Sequence, residues 1–199
     1  AEFQKWSGVR ADGRVTLFLD GVPVVSESGE LQLTSYGISG IPVFQVSRYA
    51  VRALEEGALV EAELDFFPDM EEDAFAALLN HRMMSCTYKT QEELLIGLLP
   101  DKLIPLALRN GRELDVIAHA VKHVRLKVKD SAGFERAQVS SGGVDLAEVS
   151  DQLESMRYPG LYFAGEVLDV DGACGGYNLH WAWVTGAIAG FSAAKEEEE

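Results

Sequence analysis

The sequence predicts an α+β protein, in which an antiparallel β-barrel-like sheet with a small helical cluster precedes a buried strand and a long helix. Three patterns indicate this class. Apolar and polar residues alternate over much of residues 14–34 around an Asp-Gly turn, as in a meander of antiparallel strands. Helical spacing of apolar residues dominates residues 71–122. Near the end of the chain, an apolar run at residues 161–164 precedes a glycine pair and a helical pattern at residues 177–190.

The meander begins with a strand at residues 14–20, and residues 22–25 return from the Asp-Gly turn. Pro23 favours the edge of a sheet, because proline cannot donate a ladder hydrogen bond. We expect Gly29 to break the chain before a further strand at residues 30–34.

The segments that follow alternate between helix and strand. Residues 43–56 have helical spacing, and Gly57 is a plausible C-cap. Residues 59–67 alternate apolar residues with acids, which is typical of a half-exposed strand. Residues 123–129 and 134–139 are predicted to form a hairpin.

These patterns predict two domains and a tail. Residues 1–136 form the sheet with its helical cluster, and residues 137–192 contain the last strand and helix. Residues 193–199 end in four glutamates and are expected to be a solvated, disordered acidic tail.

Composition limits the classes of partner. The formal net charge is −15, so we expect the chain to repel phosphate backbones and not to bind nucleic acid. No apolar run approaches the roughly 20 residues of a membrane span, and the first residues lack the features of a signal peptide. The two cysteines are far apart without CxxC spacing, as in a reduced chain. A cytoplasmic protein without membrane contact is expected.

The last strand and helix form the candidate binding site. The apolar run ends at Gly165 and Glu166, and Gly175 and Gly176 open the final helix. Unpaired N–H groups and the helix dipole make such a helix N-terminus favourable for a phosphate or an electron-rich ring edge. The alternative is a tight Gly-Gly turn before an ordinary packing helix.

Several motifs, in the same order along the chain, resemble those of one protein family. They are Leu33-Thr34, Tyr36 to Gly40, Ser47-Arg48, LPDKL at 99–103, Ser141-Gly142-Gly143-Val144 with Glu148, Glu154-Ser155, GEVLDVDG at 165–172, GGYNL at 175–179 and WAW at 181–183. The chain therefore resembles the C-terminal half of bacterial FAD-dependent oxidoreductases, the aminoacetone-oxidase-like or BaiN-like NAD(P)/FAD-dependent flavoproteins.

The resemblance implies a fold and a cofactor. Residues 1–136 would be the substrate-side insert domain, and residues 137–192 would be the C-terminal part of a Rossmann-like FAD-binding domain. NAD(P)H would reduce FAD, and hydride would pass to or from a small organic substrate. The implied FAD contacts are Gly142, Gly143, Gly165, Glu166, Gly175, Gly176, Tyr177 and Asn178.

Each implied contact has a structural alternative. The Glu166 carboxylate would accept a ribityl hydroxyl, or instead cap a neighbouring backbone. The helix start would face the pyrimidine edge of the flavin, with Asn178 either donating a hydrogen bond or serving only to start the helix. Gly142 and Gly143 would follow a strand and bring backbone close to the cofactor, or form a β-turn. No catalytic residue is assigned.

One expected motif is absent from the sequence. The ADP half of FAD is normally held by a GxGxxG turn, and nothing in this chain matches it. We therefore expect a fragment with weak or no FAD affinity, completed by a homodimer or by a separate N-terminal FAD-binding half. The alternative function is a non-catalytic binding or assembly module derived from the insert domain.

Other reactive side chains carry less weight. His119 and His123 have the i, i+4 spacing of a helical metal pair, but no third ligand accompanies them in sequence, so no metal site is assigned. Cys174 is interpreted as a small filler. The chain departs from the family pattern at Ser35, Ile41, Ser140, His180 and Val184-Thr185, which leaves the substrate open.

Overall fold

The computed structural model describes residues 2–196 and divides the chain into two compact units, Ala1–Ser131 and Ala132–Glu199. The first unit contains one antiparallel sheet and most of the helices, and the second contains a long C-terminal helix. The predicted α+β class is confirmed. No helix among residues 2–196 has both the length and the apolar character needed to cross a membrane.

The sheet of the first unit has five strands that pair in the order β3-β2-β1-β4-β5. Every pairing is antiparallel. The strands are β1 Val9–Leu19, β2 Val22–Leu33, β3 Ile38–Ser39, β4 Val60–Asp65 and β5 Val124–Lys127.

The β1–β2 hairpin turns at the predicted Asp-Gly pair. Asp20 and Gly21 both have positive φ, 50° and 82°, which is the requirement of a two-residue hairpin turn. Pro23 lies in the part of β2 that pairs only with β1, so it is at a sheet edge as predicted.

The predicted break at Gly29 is wrong, because β2 continues through this residue opposite Gly13 of β1. Gly13 allows a close approach that any side chain would prevent. A Cβ on Gly13 would lie 2.7 Å from the Asp65 carbonyl oxygen and 2.8 Å from Leu31 Cδ1. The paired glycines therefore permit tight packing of a continuous strand.

Helices cover the sheet and form the predicted cluster. They are α1 Glu2–Trp6, α2 Ile41–Glu55, α3 Glu72–Ser85, α4 Gln91–Leu95, α5 Ile104–Ala107 and α6 Leu114–Lys122. Helix α2 ends at Glu55 with Glu56 as its C-cap, one residue before the predicted C-cap. Gly57 follows with a φ of 82°, and the Ala58 amide donates to the Ala53 carbonyl at 2.9 Å.

The core of the first unit is built from the inward faces of the strands and from α3 and α6. Val15, Leu17 and Leu64 are fully buried on the sheet, and Phe75 is fully buried on α3. This follows from the period-two alternation of β1 and β4.

A buried ammonium group joins α6 to the end of β4. Lys122 is 7% exposed, and its Nζ donates to Asp65 Oδ2 at 2.9 Å. The same Nζ donates to the carbonyl oxygens of Phe67 and Met70, both at 2.6 Å. A buried charge is tolerated here because an opposite charge and two carbonyls satisfy its three donors.

The predicted hairpin after residue 123 is wrong in its second strand. β5 pairs with β4 instead, and Phe134–Arg136 is a short 3₁₀ turn. Phe134 is 82% exposed, so the apolar run has no buried face to place against the sheet. The run also lies in the second unit, beyond the division at Ser131.

The second unit is organised by α7, Tyr177–Glu196. The helix is longer than the predicted span of residues 177–190, so residues 193–196 are helical rather than a disordered tail. The small core of the second unit consists of Leu153, Leu168 and Ala189, with Trp181 packed beside them. The rest of the predicted tail, residues 197–199, lies outside the described residues.

The predicted buried strand at residues 161–164 does not form. Tyr162 makes a single-residue bridge to Glu154, and Leu161 is exposed. The other pairings described in this unit, Val144 with Leu168 and Val149 with Ser155, are also single-residue bridges. The Leu161 carbonyl accepts from the Ser155 amide at 2.7 Å and the Phe163 amide donates to the Leu153 carbonyl at 2.9 Å. This pairing does not continue to further residues, so the run forms a single bridge instead of a strand.

Candidate functional site

A cavity of about 300 Å³ lies in the second unit at the start of α7. This volume is at the lower end of the range for small-molecule pockets. The lining residues are Gln138, Val139, Glu166, Val170, Cys174, Gly175, Gly176, Asn178, Leu179, Trp181 and Ala182. The cavity therefore combines apolar walls with one carboxylate, two side-chain amides, one thiol and the open end of a helix.

The glycine pair exposes the backbone at the helix start. Gly175 and Gly176 have φ of 121° and 96°, and a Cβ on either would meet nothing within 4 Å. The helical ladder opens with the His180 amide donating to the Gly176 carbonyl at 2.9 Å. The amides of residues 177–179 thus lack acceptors inside the helix. Together with the dipole of a 20-residue helix, they favour a ligand carrying negative charge.

Asn178 holds the preceding loop in place. Its Oδ1 accepts from the Gly172 amide at 2.7 Å, and its Nδ2 donates to the Gly172 carbonyl at 3.1 Å. This pair of bonds fixes the loop between residue 172 and the helix while Asn178 still lines the cavity. The Asn178 side chain therefore positions the loop that precedes α7.

A buried hydroxyl joins the floor of the site to α7. Thr185 is 1% exposed, and its Oγ1 accepts from the Gly165 amide at 2.8 Å and donates to the Trp181 carbonyl at 2.6 Å. Trp181 Nε1 donates to the Gly165 carbonyl at 3.2 Å. Both backbone groups of Gly165 are thereby held by α7. Gly165 itself has a φ of 72° and opens a short 3₁₀ turn, Gly165–Val167.

Glu166 extends from this turn into the cavity lining. Its Oε1 accepts from the Ser140 amide at 2.8 Å. Within residues 2–196, no hydrogen bond is made to its Oε2. The carboxylate therefore caps a neighbouring backbone, as the alternative interpretation held, and retains acceptor capacity for a ligand.

Gly142 and Gly143 neither follow a strand nor line the cavity. The Gly142 amide donates to Asp169 Oδ1 at 2.8 Å, and a Cβ on Gly143 would lie 2.5 Å from the Val167 carbonyl oxygen. The pair allows residues 142–144 to pack closely against residues 167–169, where Val144 and Val167 share a backbone hydrogen bond of 2.8 Å. Gly142 and Gly143 therefore allow the close packing that holds the loop next to Glu166 in place.

Four of the eight residues implied by the motifs line the cavity: Glu166, Gly175, Gly176 and Asn178. Gly165 lies behind it in the bond network with Thr185, and Tyr177 is exposed at the first position of α7. No site prediction included the apolar walls, which are Val139, Val170, Leu179, Trp181 and Ala182. The WAW motif was the available signal for Trp181.

A second cluster lies in the first unit, where Glu72 of α3 meets His119 and His123 at the end of α6. Glu72 Oε2 lies 3.3 Å from His119 Nδ1 and 3.2 Å from His123 Nε2. The i, i+4 histidine pair was visible in the sequence. Its third member was not, because Glu72 precedes His119 by 47 residues.

The chain is thus an α+β protein, and in its second unit a helix start opened by two glycines borders a cavity. The chain belongs to the HI0933-like protein Rossmann domain family, whose model matches residues 33–192. The resemblance carried by the sequence motifs is thus confirmed.

Curated relatives share extensive similarity with the chain. It is 42% identical over 207 residues to the 3-dehydro-bile acid delta(4,6)-reductase of Clostridium scindens, covering 97% of this chain and 51% of that protein. It is 32% identical over 182 residues to the ribosomal RNA dihydrouridine synthase of Haemophilus influenzae, covering 84% of this chain and 43% of the relative. The Escherichia coli protein of the same name is 33% identical over 159 residues, covering 77% and 39%. The chain spans about half the length of these relatives or less.

Proposed function

We propose that this chain is the C-terminal part of a flavoprotein oxidoreductase and that its second unit holds the flavin end of FAD. The observation that carries the proposal is the open start of α7. There, amides without helical acceptors border a cavity of about 300 Å³. Family membership and the resemblance of the GEVLDVDG and GGYNL motifs support the same cofactor.

The residues of the cavity fit a flavin chemically. The glycine pair leaves room for a flat ring to approach the backbone, since a Cβ at either position would project into open space. The helix start favours the negative charge that a reduced flavin carries at its pyrimidine edge. Glu166 has an acceptor oxygen for a ribityl hydroxyl, and the Trp181 side chain contributes an apolar wall.

The chain's own residues would position the cofactor and exclude water. When bound, the flavin would supply two-electron chemistry, with NAD(P)H as the proposed reductant. The Thr185 and Trp181 bonds to Gly165 would hold the turn that presents Glu166, and the Asn178 bonds to Gly172 would hold the loop on the other side. Rigid support of this kind keeps hydrogen-bond partners within the narrow geometry that binding requires.

The proposed substrate is a small molecule with a carbon–carbon double bond conjugated to a carbonyl. The names of the relatives support this class, since a 3-dehydro-bile acid delta(4,6)-reductase and a dihydrouridine synthase are each named for adding hydrogen across a carbon–carbon double bond. An RNA substrate is disfavoured for this chain by its net charge of −15.

Exposed apolar side chains on α7 support the proposal that the second unit has a surface for a partner. Trp183 is 80% exposed and Phe191 is 73% exposed, with Ile188 also exposed. Large apolar side chains on one helix are typical of a surface that another element covers. We propose that an FAD-binding half or a second copy of the chain packs there, which size-exclusion mass would distinguish.

A flavin titration tests the proposed function. FAD is added to the purified chain up to millimolar concentration while its fluorescence is followed. Saturable quenching is expected with a dissociation constant above the micromolar range, because the sequence has no GxGxxG turn to hold the pyrophosphate.

Two variants make this titration specific. Gly176→Val places a branched side chain at a φ of 96°, into the space beside the helix start, and should weaken binding at least about tenfold. Gly186→Ala, in the middle of α7 with open space around it, is the matched control. Absence of saturable quenching, or equal affinity of both variants, would contradict the proposal.

A further inference from the structure

Three potential ligand atoms in the first unit converge on one point. Glu72 Oε2, His119 Nδ1 and His123 Nε2 all lie within 4.8 Å of one another. The two contacts to the carboxylate oxygen are 3.3 Å and 3.2 Å, and the imidazole centroids are 4.5 Å apart with their planes inclined by 30°. Both histidines therefore turn a nitrogen toward a single carboxylate oxygen.

The local fold explains this convergence. His119 lies in the last turn of α6 and His123 is the residue that ends it, so the i, i+4 spacing places both on one face. Glu72 is the first residue of α3, which packs against α6. Three side chains from two packed helices are thus brought together by the core beneath them.

Two of the three ligand–ligand distances agree with a tetrahedral metal. Ligand distances of about 2.0–2.2 Å for zinc with nitrogen and oxygen donors place neighbouring ligand atoms roughly 3.3–3.5 Å apart at the tetrahedral angle. The two observed distances from Glu72 Oε2, 3.3 Å and 3.2 Å, are close to this edge length. The half-exposed position leaves a fourth direction open to solvent for a water ligand.

A second carboxylate provides independent support. His123 Nδ1 lies 3.3 Å from Glu63 Oε1, and Glu63 is itself held by Arg125, whose Nε donates to Oε2 at 2.9 Å. A carboxylate on the far nitrogen of a metal-bound histidine fixes the tautomer and the ring orientation. Here it would place the proton on Nδ1 and leave the Nε2 lone pair directed toward Glu72.

The histidine's surroundings also favour a cation chemically. His123 has carboxylate oxygens near both ring nitrogens, Glu63 Oε1 beside Nδ1 and Glu72 Oε2 beside Nε2. A divalent cation beside Nε2 would be shared with His119 and Glu72, and it would supply positive charge to a site that faces two carboxylates, Glu63 and Glu72.

We propose that Glu72, His119 and His123 bind a divalent cation of the zinc class, with Glu63 as the residue that positions His123. Two imidazoles and one carboxylate with an open fourth position form a donor set typical of zinc. The site lies in the first unit and does not depend on the proposed flavin function.

Calorimetric titration with ZnCl₂ tests this proposal on the tag-free chain after dialysis against a chelator. Binding of one zinc per chain is expected. Glu72→Gln and His119→Gln each remove a ligand and should weaken affinity by at least about 100-fold, more than the loss typical of an outer carboxylate. Glu63→Gln keeps all three ligands and should weaken affinity by about 10- to 100-fold.

Matched controls come from the same elements. His81→Gln removes an exposed histidine from α3, and Asp73→Asn removes the carboxylate next to Glu72; neither should change affinity. With CoCl₂ in place of zinc, the visible absorption of a tetrahedral site should appear in the wild-type chain and be lost in Glu72→Gln.

Two results would overturn the proposal. One is the absence of stoichiometric zinc binding to the folded chain. The other is equal loss of affinity in the His81 and His119 variants, which would mean adventitious binding to surface histidines only. Circular dichroism of each metal-free variant checks that it folds. If a ligand variant does not fold, Glu63→Gln, which keeps all three ligands, still tests the site through its expected loss of affinity.

Discussion

Replacing Thr185 by valine should loosen the turn that presents Glu166. Valine has nearly the shape of threonine but no hydroxyl, so it removes the acceptor of the Gly165 amide without opening a cavity. The amide stays buried and loses its partner, since Thr185 is 1% exposed and the bond to Oγ1 is 2.8 Å long.

The magnitude follows from the cost of an unsatisfied buried donor. Such a group costs about 1–3 kcal/mol, and a central value of about 2 kcal/mol corresponds to about 30-fold in an equilibrium constant. The Trp181 carbonyl loses less, because the i+4 amide of α7 still bonds it within the helix. Most of the effect should therefore appear at Gly165.

Amide hydrogen exchange followed by NMR measures this effect at one site. The Gly165 amide of Thr185→Val should exchange about 30-fold faster than in the wild-type chain. Thr185→Ser keeps the hydroxyl and is the matched control, with exchange near the wild-type rate. Equal protection of Gly165 in the valine variant and the wild-type chain would refute the role assigned to this hydroxyl.

Further predictions concern the first unit. Lys122→Met leaves Asp65 without its cation and should lower the free energy of unfolding by about 3–5 kcal/mol, whereas Lys127→Met, on the exposed side of β5, should change it by less than about 0.5 kcal/mol in urea unfolding. The Thr90 amide and hydroxyl hold the pKa of Glu93 below its usual value. The helix start at Thr90 is therefore stabilised above the pKa of the unfolded chain, and this contribution is lost as pH falls through the depressed pKa. Thr90→Ala removes the hydroxyl and keeps the amide, so carboxyl NMR titration should show the Glu93 pKa rising part of the way towards its usual value; an unchanged pKa would exclude the Thr90 hydroxyl as a cause.

Features encoded by neighbouring residues were predictable from the sequence. The Asp-Gly turn requires positive φ at both positions, and Asp20 and Gly21 supply it. The positive φ of Gly57 just after α2 and the glycine-led start of α7 at Tyr177 have the same local origin. The motifs were also sufficient to name the family, because they are short and lie in the correct order.

Features that depend on distant partners were not predictable. Gly29 looked like a break, but its place opposite Gly13 keeps β2 continuous. Residues 161–164 have the composition of a buried strand, yet they pair only at Tyr162. Glu72 joined the histidine pair through the packing of α3 on α6, which no local pattern encodes.

The central claim, that the start of α7 receives a flavin, is tested most directly by NMR of the ¹⁵N-labelled chain during FAD addition. This method detects weak binding and reports where it occurs. The largest shifts should fall on the amides of residues 175–179 and on Glu166, and they should saturate together. Shifts confined to other residues, or none at millimolar FAD, would contradict the account.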